Sequence, residues 1–354
     1  MTRSPLTSYV QRVSRKLLAT EGPSVAPLPE AGLAREVSPW SGTLRWRGER
    51  EVHRFLSRHE AAAQRFLAML PGLITWTLIL VPVLMAREWP LVPLLLAILF
   101  QVYWLYRVLS TQVYAAVGYV RIRAHARIDW RERYEADRAA GVPALPWEDI
   151  RHIVIIPNYH EPESKLRSTL EALTAQREVA RHIWVVLAME ESEAGARQKA
   201  RALRGEFKDR LGGVCYTVHP AGLPGEVAGK SANEAWAARW AREHLVERLG
   251  WNVRHVTVTT CDADSVFHPS YFACLTYKFA TDPARYLRFW QAPILFHNNI
   301  WRVPTFIRFI ALFSGIAQLA TLAAPRGAAF PYSSYSASLV LLDGVDYWDP
   351  DTIS

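Results

Sequence analysis

Apolar positions along this chain change their spacing twice, and each change marks a different kind of structure. From Phe66 to Ala86 about 21 residues pass without a charge, and after Arg87-Glu88 the stretch Trp89 to Tyr106 adds about 18 more. Both are near the length a helix needs to cross a bilayer core, and they predict a transmembrane hairpin over residues 61–110. From Val108 to Arg133 apolar residues mix with regularly placed arginines, which suits an interfacial or linker helix over residues 111–148. After Pro143 to Pro146, short apolar runs alternate with helical periodicity. That alternation predicts an α/β domain over residues 149–354, a mixed, mostly parallel sheet with flanking helices.

Strands are expected at Ile150 to Ile156 (ending at Pro157), Ile183 to Met189, Val214 to Val218 and Val253 to Thr260. Leu166, Leu170 and Leu173 share one helical face between the first two. An arginine- and lysine-rich helix is expected near Ala194 to Leu211. Another begins at Lys230, after the loop Pro220 to Gly229, with Ser231 and Glu234 at capping-box spacing. The stretch Phe309 to Ala324, about 16 residues with Gln318 inside it, is short for a span and reads as a buried or interface-lying helix.

Charge sharpens this picture. The net charge of +8 gathers on both sides of the apolar segments: Arg47, Arg50, Arg54, Arg58 and Arg65 precede them, and Arg107, Arg121, Arg123 and Arg127 follow. The positive-inside rule puts both ends in the cytosol, so a multi-pass inner-membrane protein is expected, with its α/β domain cytosolic. Clustering around membrane segments also argues against a nucleic-acid partner. Residues 1–60 form a basic N-terminal region, partly disordered, whose first 20 residues lack the apolar core of a secretory signal. Cys215, Cys261 and Cys274 have no CxxC spacing, so neither a disulfide framework nor a zinc site is expected.

Polar residues collect at the carboxyl ends of the expected strands, where open parallel sheets bind ligands. Asp262 and Asp264, one residue apart at a strand exit, offer oxygen ligands to a divalent metal (Mg or Mn), and such a cation neutralises a diphosphate. Tyr159 presents a ring and Glu161 an acceptor, as a nucleoside requires. Lys230 and the amides beginning its helix suit a diphosphate. Structural roles are assigned to His160, His297 and Asn298-Asn299, and the hydroxyl-rich Tyr332 to Ser338 reads as a polar strand edge. Turn chemistry accounts for Asp343, Asp346, Asp349 and Asp351. No GxGxxG turn follows the first strand, which argues against a dinucleotide oxidoreductase.

The ordered series Ile153 to Glu161, Gly229-Lys230-Ser231-Ala232-Asn233-Glu234 and Thr260-Cys261-Asp262-Ala263-Asp264 resembles the family-2 glycosyltransferases of GT-A fold, in the membrane branch related to cellulose and hyaluronan synthases. The resemblance covers residues 150 to 354. It implies that Pro157, Tyr159, Glu161 and one of Glu190 or Glu191 hold the nucleoside, that Lys230 touches the diphosphate, and that Asp262 and Asp264 bind donor and metal, Asp264 directly. The implied activity is inverting transfer from a nucleotide-sugar donor, a UDP-sugar, to a polysaccharide or lipid acceptor at the cytosolic membrane face. Three departures stand out. Glutamates replace the usual aspartates after the second strand, no Gln-x-x-Arg-Trp element is present, and the acidic pair that supplies the base is expected beyond Ser354. The chain is therefore expected to be a fragment, and the rival expectation is a catalytically dead, membrane-tethered nucleotide-sugar sensor or scaffold.

Overall fold

A computed structural model describes residues 60–349 apart from 177, 224–225, 228, 297–299, 326–330 and 332, and the chain divides into two units, with residues 32–114 separate from the rest. The expectations for residues 1–59, His297, Asn298, Asn299, Tyr332, Asp351 and the last residues lie outside the described residues.

In the first unit, helix α1 (Glu60–Met85) leads through a short turn into α2 (Leu91–His125), which continues into the second unit. Both are long and apolar enough to cross a membrane, and none of either apolar window is buried. Pro71 and Pro82 lie inside α1, and the Thr75 hydroxyl donates to the Pro71 carbonyl at 2.8 Å. Prolines are tolerated in such helices because nearby side chains and helices satisfy the freed backbone. The boundary expected at residue 110 falls inside α2. With no proline after Pro93, the arginine-bearing stretch simply prolongs the helix.

The second unit is an α/β fold. Helix α3 (Trp130–Ala139) starts at Asp129, whose carboxylate accepts from the Arg131 and Glu132 amides. Then follow β1 (Arg151–Asn158), α4 (Glu163–Thr174), β2 (Ile183–Glu190), α5 (Ala196–Phe207), β3 (Gly213–His219), α6 (Lys230–Ala241) and β4 (Val256–Thr260). The chain closes with α7 (Tyr271–Thr281), β5 (Phe289–Trp290), α8 (Thr305–Ala323), β6 (Tyr335–Ser338) and α9 (Leu339–Gly344). The six strands form one sheet in the order β3-β2-β1-β4-β6-β5. The first four are parallel, while β6 runs antiparallel to both β4 and β5. Helices α4, α5 and α6 are crossovers of the parallel half, and Ala237, Ala238 and Ala241 of α6 pack with the buried strand residues Ile153, Ile155 and Val186. Small side chains let that helix lie close to the sheet.

Three details depart from expectation. Strand β1 continues through Pro157 to Asn158 because it stays paired with β2 there, opposite Ala188 and Met189, after its ladder with β4 has ended at Ile155 and Thr260. Pro157 faces the same side as Ile155, beyond the ladder's end, so its missing N–H breaks no bond. Second, β6 is no polar edge. It lies between β4 and β5, with Ser336 and Ser338 fully buried. Ser336 pairs with the Thr259 hydroxyl at 2.8 Å, and Ser338 accepts the Leu341 amide at 3.1 Å. Third, the last long apolar helix begins at Thr305 rather than Phe309 and reaches 19 residues, long enough by length and composition to cross a membrane.

Candidate functional site

Strand order reverses between β1 and β4: the chain steps from β1 outward to β2 and β3, then returns to β1's other side as β4. Such a switch point leaves a crevice at the carboxyl ends of the strands, because the crossovers on either side run in opposite directions. Here a cleft of about 500 Å³ opens, lined by Pro157, Tyr159, Glu161, Glu190, Lys230, Asp262 and Asp264 among others. Seven of the eight candidate residues meet in it. Glu191 does not; its carboxylate accepts the Ala221 amide at 3.1 Å, in the loop after β3.

At the β4 side, Lys230 opens α6 and donates to Asp262 Oδ1 at 2.6 Å. The Ser333 hydroxyl donates to Asp262 Oδ2. Burial opposes the Asp262 charge, yet the hydrogen bonds from Lys230 and Ser333 hold its carboxyl below the usual carboxylate range. Burial likewise opposes the Lys230 charge, but Glu234 and Asp262 hold its ammonium above the ordinary lysine value. Glu234 lies one turn along α6, 3.7 Å from the Lys230 Nζ, and accepts the Thr260 hydroxyl. Burial pushes its carboxyl up to about 7. The capping box expected of Ser231 and Glu234 is therefore absent. No side chain caps α6, and both residues sit buried within it.

The loop carrying the aspartates is fixed from three directions. Cys261 N donates to the Ile155 carbonyl at 3.2 Å, prolonging the ladder, and Ser265 N donates to the Asp262 carbonyl at 3.0 Å. From α4, the buried Thr169 hydroxyl donates to the Ala263 carbonyl at 2.8 Å. Cys261 is fully buried, and burial raises its thiol far above the ordinary value, so it is a core residue and no ligand.

At the β1 and β2 ends, Tyr159 is 59% exposed, its ring 4.2 Å from that of His160, which takes a φ of 60°. Lys165 donates to the Glu161 carboxylate at 2.8 Å. Beneath them lies a network that sequence reasoning missed. Asn158 Nδ2 donates to Glu193 at 2.8 Å, and Lys199 donates both to Glu193 and to the Glu161 carbonyl, the latter at 2.8 Å. Glu190 is also tied: His219 bridges it at 3.2 Å to Glu226 at 2.9 Å, while burial raises the Glu190 carboxyl. Asn233, a further lining residue, donates to the Ala188 carbonyl at 2.9 Å. Asn158 and Asn233 stood within the quoted motifs; nothing local distinguished Glu193, Lys199 or His219.

Among the described residues no group of three or more His, Cys, Asp or Glu could hold a metal alone. Asp262 and Asp264 place two hard carboxylates on one cleft, the kind of donor a magnesium or manganese ion takes from a protein when phosphates complete its shell. The residues fit a cation that arrives with a diphosphate.

No protein-family model matches the chain, and no curated protein matches it. Among solved structures it is similar to the mannosyltransferase PcManGT from Pyrobaculum calidifontis, in complex with GDP-Man and Mn2+, at 19% identity and a TM-score of 0.32. The likeness covers 66% of this chain, which spans 58% of the length of that one. So slight a likeness carries no weight for function, and the α/β fold stands on the sheet itself.

Proposed function

We propose that this chain is a membrane-anchored glycosyltransferase of GT-A type. It takes a nucleotide-sugar donor with Mg or Mn and passes the glycosyl unit to a saccharide or lipid acceptor at the cytosolic face of the inner membrane. The observation that carries this reading is the convergence of Lys230, Asp262, Asp264, Tyr159 and Glu161 on one cleft at the switch point of the sheet. A nucleoside diphosphate needs cationic contacts at one end and an aromatic face with acceptors at the other, and the cleft supplies both.

Each residue then has a task. Asp262 and Asp264 would hold the cation, which when bound would offset charge on the departing diphosphate. Lys230, paired with Asp262 at the edge of the cleft, is placed to donate to a diphosphate oxygen. Tyr159 stacks on the base, and Glu161 and Glu190 accept donors from the nucleoside. His219 positions Glu190 from behind. Transfer by single displacement inverts the anomeric carbon. No base is assigned among the described residues, since Asp343 is held by Arg242 at 3.0 Å and Asp346 by Arg239 at 3.3 Å, and neither lines the cleft. Helices α1 and α2 form the anchor.

Calorimetry on the solubilised chain tests this. UDP or GDP is expected to bind in a manganese-dependent manner, with the metal dependence lost in Asp262→Asn and Asp264→Asn. Binding of neither nucleotide, or binding indifferent to manganese, refutes the reading.

A further inference from the structure

Between Asp282 and Asp343 the chain carries no acidic residue, while Arg285, Arg288, Arg302, Arg308 and Arg326 fall inside that interval. Helix α8 lies there and divides along its length. Its second half is locked to the protein. Gly315, Gln318, Ala320 and Ala323 are buried, Gln318 Oε1 accepts the Ile294 amide at 2.8 Å, and Arg121 donates to the Ala323 carbonyl at 3.3 Å. The first half and the segment before it are open: Trp301 is 79% exposed, Phe306 71%, Phe309 67% and Phe313 59%.

Between α8 and the segment before it lies an apolar groove of about 320 Å³, lined by Leu295, Phe296, Ile300, Leu312 and Ile316. Arg308, the one charge on the helix, folds back. It donates to the Ile300 and Val303 carbonyls at 3.1 and 3.4 Å and sits 4.9 Å over the Trp301 ring. Its apolar stem and the indole thus leave the aromatic surface unbroken. A helix held by one half cannot be surrounded by lipid along its length, yet a contiguous aromatic face of this kind is rarely left to water.

We propose that the first half of α8, with Trp301, sinks into the headgroup and acyl boundary of an anionic bilayer, so that the α/β unit has a membrane contact of its own. An exposed tryptophan with Arg308 over its ring and Arg302 beside it in sequence, in a stretch of chain without an acid, suits that boundary. A second copy fits worse, because two acid-free, arginine-bearing faces repel. The contact does not depend on what the cleft binds. Ser333, which holds Asp262, comes ten residues after the end of α8 in sequence.

Flotation is uninformative, since α1 and α2 would hold the chain to vesicles regardless. The full chain is instead placed in phosphatidylcholine and phosphatidylglycerol vesicles with a fluorophore on Phe309→Cys, and separately on Phe313→Cys in case one variant misfolds. Leu249→Cys, at an exposed leucine elsewhere on the unit, is the aqueous reference. Cys261 is buried and Cys215 and Cys274 are partly so, and the unsubstituted chain labelled in parallel gives their background. The α8 probes are expected about 5–10 Å below the headgroups, quenched by acyl-chain nitroxides and shielded from iodide. At Leu249 the order reverses. Iodide quenching equal to that at Leu249 overturns the proposal, as does shielding from both quenchers, which means a protein covers the face. In phosphatidylcholine alone the nitroxide quenching is expected to fall, and equal quenching overturns the preference for anionic lipid.

Discussion

Replacing Glu234 by glutamine tests the electrostatics behind Lys230, beneath the cleft. The carboxyl is 4% exposed, and burial raises it from an ordinary 4.5 to about 7. Between those values the folded chain holds a proton that the unfolded chain releases. Its stabilising share is therefore complete below pH 4.5 and declines as pH rises through 7. A shift of this size corresponds to about 3 kcal/mol over the window, at 1.36 kcal/mol per pH unit. Glutamine keeps the shape and an acceptor for the Thr260 hydroxyl but does not titrate. The stability difference, variant minus wild type, should thus grow by about 3 kcal/mol from pH 4.5 to 8, the attraction of Lys230 being already contained in the shift. Contributions from other groups cancel in that difference. Denaturant titration of the solubilised full chain at stepped pH measures it. Parallel wild-type and variant curves across the window would show that Glu234 is ionised throughout and that the reasoning about its burial is wrong.

Lys230→Met should weaken UDP binding by about ten- to a hundred-fold, the range for a charge-assisted hydrogen bond, while uridine binding stays unchanged; equal losses for both would remove the lysine from the diphosphate. Glu190→Gln should cost nucleoside affinity by about ten-fold and Glu191→Gln very little, because only the former lines the cleft; calorimetry with uridine reports both. Gly118→Ala should destabilise the fold by about 1–3 kcal/mol, because a Cβ there would stand 2.7 Å from Leu319 Cδ1 and 2.9 Å from its carbonyl oxygen. An unchanged thermal midpoint would mean that α2 and α8 part freely. His152 is fully buried between the Thr257 and Thr276 hydroxyls, and burial lowers its pKa to about 3. Its share of stability is present above the ordinary 6.5 and lost as pH falls toward 3, so His152→Gln should flatten the acid limb of the stability curve, and an unaltered limb would show the imidazole to be charged in the fold.

The parallel half of the sheet was legible because its strands are buried on both faces. Ile153 to Ile156 and Val185 to Met189 are continuous apolar runs, fully buried. From those runs the cleft follows, since the loops that end them must meet at the switch point. Much of what escaped has a stabilising partner far along the chain. Strand β6 reads as Tyr-Ser-Ala-Ser, and its hydroxyls became core only because Thr259 and Tyr271 supply hydrogen bonds across separations of 77 and 65 residues. Ser231 and Glu234 obeyed the spacing of a capping box, but burial gave Glu234 better partners in Thr260 and Lys230.

The same principle separates what the aspartates reveal locally from what they do not. Two carboxylates at the exit of a β-branched strand, among other polar strand ends, suggest a hard-cation site from sequence, whereas the charge state of Asp262 is set by Lys230, 32 residues earlier, and Ser333, 71 residues later. Those two contacts give the pair its readiness. Asp262 is already ionised, and its present cationic partner is one that a diphosphate can take over. On the proposed reading a cation alone would compete with the Lys230 ammonium for Asp262, whereas a diphosphate arriving with it would offer the lysine another anion. That competition is the reason nucleotide affinity should depend on manganese.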